Sequence, residues 1–180
     1  MDVHTEVGVG TSFSIYLPTL PIAQPPSPSP KPTMIPEGDG ETILVIEENA
    51  VTRKAFADSL EMLHYRVLAA SDDQEALALF KQHRSGSGTD VEPGTARIDC
   101  IRLVLYGMAR QVVEQIALCR ALTRLDTGMR MVVLTDYPLD DEDNEQLRRA
   151  GIVSWLQKPV SLEQLARTVA QALRIRPDPD

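Results

Sequence analysis

Cysteine is scarce in this chain, whose 180 residues include two, Cys100 and Cys119, both in apolar segments. Two such residues, with no recognisable secretory leader, exclude a disulfide framework and point to buried thiols in a reducing compartment. Long hydrophobic runs are missing as well. None approaches the roughly eighteen to twenty residues of a spanning helix, so a cytoplasmic chain without direct membrane contact is expected. Positive charge is in deficit: Lys and Arg number 18 against 26 Asp and Glu, a net charge of -8. Nucleic acid and anionic membranes call for a basic surface, and neither is expected as a partner. What is present is ordinary for a globular protein, 43% hydrophobic and 24% charged. That is enough for one domain with a core of the usual size plus additional sequence.

The stretch around which the rest is arranged is Ile43-Leu44-Val45-Ile46-Glu47-Glu48. Four uninterrupted apolar residues suit a parallel strand covered by helices on both faces. The two carboxylates that stop the run then lie at the strand's carboxyl end, where open α/β sheets place their ligand sites.

Ahead of it, residues 1–18 read MDVHTEVGVGTSFSIYLP. Alternation at Phe13, Ile15 and Leu17 suggests a strand, and Gly8-Val9-Gly10 the turn of a β-hairpin before it. Residues 19–40 carry Pro21, Pro25, Pro26, Pro28, Pro30, Pro32 and Pro36 among Ser, Ala and Lys. Fixed φ angles and missing N–H donors exclude helix and central strand there. A spacer between modules is the expectation, with an SH3-type ligand as the other use of such composition.

From residue 41 strands and helices alternate. A helix is expected over 51–63, with Asn49 as N-cap and Val51, Ala55, Leu60 and Leu63 inward. Residues 66–70 read as the second strand. Ser71-Asp-Asp-Gln74 reads as a capping box opening a helix through Phe80, and residues 83–97 as a long glycine-rich loop. Strands are expected at 100–105, 131–135 and 153–156. A helix over 109–122 has Val112, Val113, Ile116 and Leu122 among its buried positions, and one over 141–150 is ended by Gly151. Ser161 to Gln164 form a second capping box, whose helix carries Leu162, Leu165, Ala166, Val169 and Leu173 on one face. Five strands and five helices in alternation make a flavodoxin-like, doubly wound five-stranded parallel sheet, order 2-1-3-4-5, over 41–174, with 175–180 a tail.

A strand ending in an acid pair, a strand ending in Leu134-Thr135, a strand followed by Lys158-Pro159 and a capped amphipathic helix together resemble the receiver domain of two-component response regulators. The resemblance implies an acid pair holding Mg²⁺ at Glu47 and Glu48, a phosphoryl-binding hydroxyl at Thr135, a lysine at Lys158 joined by a cis bond to Pro159, and a switch aromatic at Trp155. Hard oxygen ligands suit Mg²⁺, and a phosphoryl group in transfer needs cationic and hydroxyl partners. Counted without a gap from Asp99, the phospho-accepting aspartate falls on Val104, which has no nucleophile. Glu48 replaces the usual Asp, Asp136 the small residue after the threonine, and Met108 the proline beyond the acceptor. The pocket is therefore expected to be degenerate, with Mg²⁺ binding weakened. Lys158 is expected to pair with Glu47, Glu48 or Asp136, so that an acid restored at Val104 alone leaves the pocket inactive.

Likewise Gly8, Gly10, Thr11, Phe13 and Leu17-Pro18 resemble the closing segment of the ATP-binding domain of sensor histidine kinases. The rest of that domain is not in this sequence, and His4, His64 and His83 lie in no phospho-accepting motif. The two resemblances imply the C-terminal part of a hybrid histidine kinase: 1–18 a remnant of the ATP-binding domain, 19–40 a linker, then a receiver. Such a receiver would regulate by contact with the kinase core or another signalling protein, through the face of its last two helices and last strand, without itself being an enzyme. The alternative is active phosphotransfer on an unorthodox acid. Asp99 precedes the third strand, at the wrong end for that role. A small-molecule binder of flavodoxin type would want a glycine-rich phosphate loop after the first strand, which is missing. Blander uses exist for each residue: the acid pair as solvated rim, Lys158 as a surface lysine, Trp155 as packing, and Arg148 and Arg149 as a solvated helix face.

Overall fold

A computed structural model describes residues 2–8, 10–14, 16, 35–83, 100–108 and 112–174, with the backbone alone for 112–115. Met1–Met34 and Ile35–Asp180 are separate units. In the first, β1 (Asp2–Glu6) pairs antiparallel with β2 (Gly10–Ser14), Val3 opposite Phe13. Gly8 at φ +83° and Gly10 at φ +139° make the turn, backbone angles that only glycine adopts without strain. Every residue of both strands is exposed. The described strand runs from Gly10 to Ser14 and includes Phe13, while Ile15, Leu17, Pro18 and 19–34 of the proposed linker lie outside the described residues.

The second unit is built on β3 (Thr42–Ile46), all five of whose residues are buried. Around it stand β4 (Arg66–Ala70), β5 (Ile101–Met108), β6 (Arg130–Thr135) and β7 (Ile152–Gln157), in the order β4-β3-β5-β6-β7 and parallel throughout. The helices are α1 (Ala50–Met62), α2 (Asp73–Gln82), α3 (Val112–Leu125), α4 (Asp141–Arg149) and α5 (Leu162–Arg174). Alternation along the strands divides the core in two. Ile43, Val45, Leu103, Leu105, Val132 and Leu134 pack with α1 and α5 through Leu60, Leu165 and Val169. Leu44, Ile46, Val104, Tyr106, Met131 and Val133 pack with α2, α3 and α4 through Phe80, Ile116, Leu122 and Leu147. This is the flavodoxin-like fold expected from the sequence.

Side-chain caps fix most helix starts. Asn49 Oδ1 accepts from the N–H groups of Val51 and Thr52, as expected. The cap of α2 is Asp72 rather than Ser71: its carboxylate accepts from Gln74 and Glu75, and Glu75 reaches back to the Ser71 N–H at 2.8 Å. The box at α5 is as expected, Gln164 N–H donating to Ser161 Oγ at 3.2 Å and Gln164 Oε1 accepting from Ser161 N–H at 3.1 Å. Gly151 follows α4 at φ +82°. The inward face of α1 differs from expectation. Val51 is 79% exposed and Ala55 is exposed too, while Phe56, Leu60 and Leu63 turn inward. At about 100° per residue Val51 lies half a turn from Leu60, so one stripe cannot include both. In α3, Ile116 and Leu122 are buried as expected; the side chains of Val112 and Val113, and residues 84–99, lie outside the description.

Candidate functional site

Strand register decides what meets at the carboxyl edge. Ile46 stands opposite Tyr106, Met108 opposite Thr135, and Thr135 opposite Gln157. Glu47 therefore leaves β3 beside Gly107, and Lys158 leaves β7 beside the end of β6. Glu47 is 4% exposed, and its Oε2 accepts a hydrogen bond from Lys158 Nζ at 2.7 Å. Its Oε1 accepts from the Asn49 N–H at 3.0 Å, and its carbonyl from Arg53 Nη1 at 2.6 Å. Lys158 Nζ also lies 3.5 Å from Asp136 Oδ1, and the Lys158 N–H donates to the Thr135 carbonyl at 2.8 Å. The Lys158–Pro159 peptide is cis. Thr135 is fully buried and its hydroxyl donates to the Tyr137 carbonyl at 2.7 Å. Lysine, threonine and first acid are thus brought together, each already bonded to protein.

Val104 is not part of this edge. It is fully buried in the core on the α2–α3–α4 side, mid-strand, opposite Leu44 and Met131. The gap-free count from Asp99 reaches Val104, three residues before Gly107, and β5 continues to Met108. The position beside the Glu47 carboxylate is Gly107. A Cβ built there would collide with Glu47 Oε2 and lie 3.0 Å from its Cδ. Glycine, like valine, carries no nucleophile. A glycine near the end of an apolar strand was the available signal, for it marks a close approach by another group.

Opposite Gly107, on the other face of β5, lies a pair with no forecast in the sequence. Tyr106, 4% exposed, donates its hydroxyl to Asp73 Oδ1 at 3.3 Å. Burial raises the Tyr106 phenol, helped by the charge of Asp73. Burial also raises the Asp73 carboxyl, against the Tyr106 hydrogen bond that lowers it, with Asp72 and Glu48 adding to the rise. Buried Cys119 has its thiol pushed up to about 12 by burial, with Asp73 contributing.

Glu48 and Asp136 are exposed, and the Glu48 carbonyl accepts from Arg53 Nη1 at 3.2 Å. Trp155 stands opposite Val133, half-buried and packed against the α2–α3–α4 core, beside a cleft between α4 and β7. In the hairpin, Thr11 Oγ1 lies 3.3 Å from Thr5 Oγ1. The donor set does not fit Mg²⁺. Both Glu47 oxygens are engaged, Gly107 offers no side-chain ligand, and among the described residues no group of three or more His, Cys, Asp or Glu is placed to hold a metal.

No protein-family model matches the chain. It is 25% identical over 178 residues to the sensor kinase CckA of Brucella abortus, a match covering 94% of the chain and 17% of that protein. It is 21% identical to the polar-differentiation response regulator DivK of Brucella anthropi, over 74% of the chain and 96% of DivK. A response regulator from Thermotoga maritima superposes with a TM-score of 0.59 at 23% identity, over 76% of this chain and 99% of that one. The second unit has the CheY-like fold of response-regulator receiver domains. The described helices include none long and apolar enough to cross a membrane.

Proposed function

We propose that residues 41–174 form a receiver domain that signals without being phosphorylated, a regulatory protein-interaction module of two-component phosphorelay signalling. One observation carries this reading: the strand-end position beside Glu47 and Lys158 is Gly107, without a carboxylate to accept a phosphoryl group. The lysine that would meet the phosphoryl oxygens is neutralised by Glu47, and the Thr135 proton is committed to a backbone carbonyl. Output then depends on contacts, with the kinase core or another signalling protein as partner. The α4–β7–α5 face, where Trp155 stands, is the proposed surface.

The hairpin supports the wider assignment to a hybrid histidine kinase. The similarity to CckA runs through 94% of the chain, and that protein is a sensor kinase. Strands exposed on every residue suit the closing hairpin of a larger domain whose other strands are not in this sequence. Gly8 and Gly10 make its turn, and Thr11 follows. In this reading 1–18 is a remnant of the ATP-binding domain and 19–40 the linker.

The test is incubation with acetyl phosphate and Mg²⁺, followed by intact mass. An unmodified chain is expected. A stoichiometric phosphoryl adduct overturns the reading and favours transfer to an unorthodox acid, which peptide mapping would then locate.

A further inference from the structure

Position 107 has no side chain and position 47 has a long one, and the two meet at one point. A Cβ on Gly107 would fall on Glu47 Oε2 and lie 3.3 Å from the Ile46 carbonyl oxygen. That same Oε2 holds Lys158 Nζ at 2.7 Å. The Glu47 carboxylate therefore stands where a side chain rising from the strand end would begin, and on the cation which that side chain, or a group attached to it, would meet. We infer that Glu47 is a built-in anion: it occupies the acceptor's place, neutralises Lys158, and so closes this edge to small oxyanions such as acetate or inorganic phosphate. The inference rests on the reading of Gly107 as the acceptor's position and adds what fills that position.

The energetics favour the internal anion. An external oxyanion would have to displace a carboxylate whose side chain is 5% exposed from a lysine whose side chain is 14% exposed. Stripped of its cation, Glu47 would remain a buried charge, which is strongly unfavourable. Asp136, 3.5 Å from the same ammonium, adds repulsion toward any incoming anion. Glycine at 107 is what makes room, so Glu47 and Gly107 depend on each other.

Glu47→Ala removes the internal anion and leaves the Lys158 ammonium in place. Acetate and inorganic phosphate are titrated at constant ionic strength against thermal unfolding of wild type, Glu47→Ala and Glu47→Ala/Lys158→Met. Only Glu47→Ala is expected to rise saturably in Tm. An equal saturable rise in wild type, or none in a folded Glu47→Ala, overturns the inference. Should Glu47→Ala not fold, a mutant cycle decides. Gly107→Ala alone should lower the folding constant roughly ten- to a hundredfold, the range for overpacking. Adding Glu47→Asp, which withdraws the carboxylate by about 1.5 Å, one carbon–carbon bond, should recover most of that loss. Effects that multiply to within about twofold, as independent sites do, would show that the two residues do not share this space. Neither measurement uses a phosphodonor, so a phosphorylated wild type and a failed anion response remain separate results.

Discussion

Tyr106 and Gly107 are neighbours in β5, and the sheet separates what each of them meets. On the Gly107 side a buried carboxylate meets a partly buried ammonium, and the pair is closed by a backbone N–H. On the Tyr106 side a phenol donates to a more exposed carboxyl, with Glu48 and Asp72 close enough to raise that carboxyl. The difference is one of coupling. Removing one partner of a buried ion pair leaves the other uncompensated, whereas losing a hydrogen bond to a partly solvated group leaves water as a substitute. The charged side should therefore be rigid and intolerant, and the phenol side forgiving.

The largest effect tests where the charged side ends. Val104→Asp would place a carboxylate among Leu44, Met131 and Ile116, in a core cluster whose described members are all uncharged. Several kcal/mol of destabilisation are expected from burying such a charge, enough to unfold a domain of ordinary stability. Urea denaturation and circular dichroism would read it. A well-folded Val104→Asp would return Val104 to the pocket and undo the assignment of Gly107.

Next comes the ion pair. Lys158→Met keeps the length of the side chain and removes its charge, leaving Glu47 buried without its cation. A loss of about 3–5 kcal/mol is expected in urea unfolding at neutral pH, the range for breaking a buried pair. Adding Glu47→Gln to Lys158→Met should recover a large part of it. If Lys158→Met is nearly neutral, water reaches Glu47 and the edge is open.

The unequal legibility of the two sides has a physical cause. Glu47 and Thr135 each end a run of four apolar residues, and Lys158 stands before a proline at the close of a mostly apolar strand, so all three are visible in the chain itself. Gly107 lies inside a run with no polar residue from Leu103 to Met108, so apart from the glycine itself nothing local says where the strand's useful end is. Only pairing with β3, Ile46 opposite Tyr106, fixes it. Tyr106 and Asp73 are 33 residues apart on different elements, and no short-range pattern joins them. The sheet order, by contrast, follows from strand–helix alternation and right-handed crossovers, which is why the topology was readable when the residue beside Glu47 was not.

On the phenol side, Tyr106→Phe removes one hydrogen bond and no packing volume of consequence. About 1 kcal/mol is expected, the usual net worth of such a bond, read as a shift in the urea midpoint with an unchanged slope. The ring stays in its core between β5 and α2–α3, so circular dichroism should be unaltered. A loss as large as that of Lys158→Met would make the two sides equivalent.

The smallest effect is in the pH dependence of that same side. The Asp73 carboxyl is raised above its ordinary value, chiefly by burial and then by Asp72 and Glu48, although the Tyr106 hydroxyl opposes the rise. A carboxyl raised in the folded state binds its proton more tightly there than in the unfolded chain, so its ionisation costs stability above the folded value. That cost is relieved as pH falls through the folded value, and the relief is complete below the unfolded one. Asp72 and Glu75 run the other way. Backbone N–H bonds hold both low, so they stabilise the fold at neutral pH and lose that contribution as acid protonates them. Asp73→Asn keeps an oxygen for Tyr106 and removes only the titration. Stability at pH 7 should rise by less than about 1 kcal/mol, since solvent screens much of the interaction. The decline between neutral and acid pH should become steeper, because the opposing contribution of Asp73 is gone. A shallower decline in Asp73→Asn would mean that Asp73 is held low by its neighbours, and that the phenol side is, like the lysine side, built around a stabilised charge.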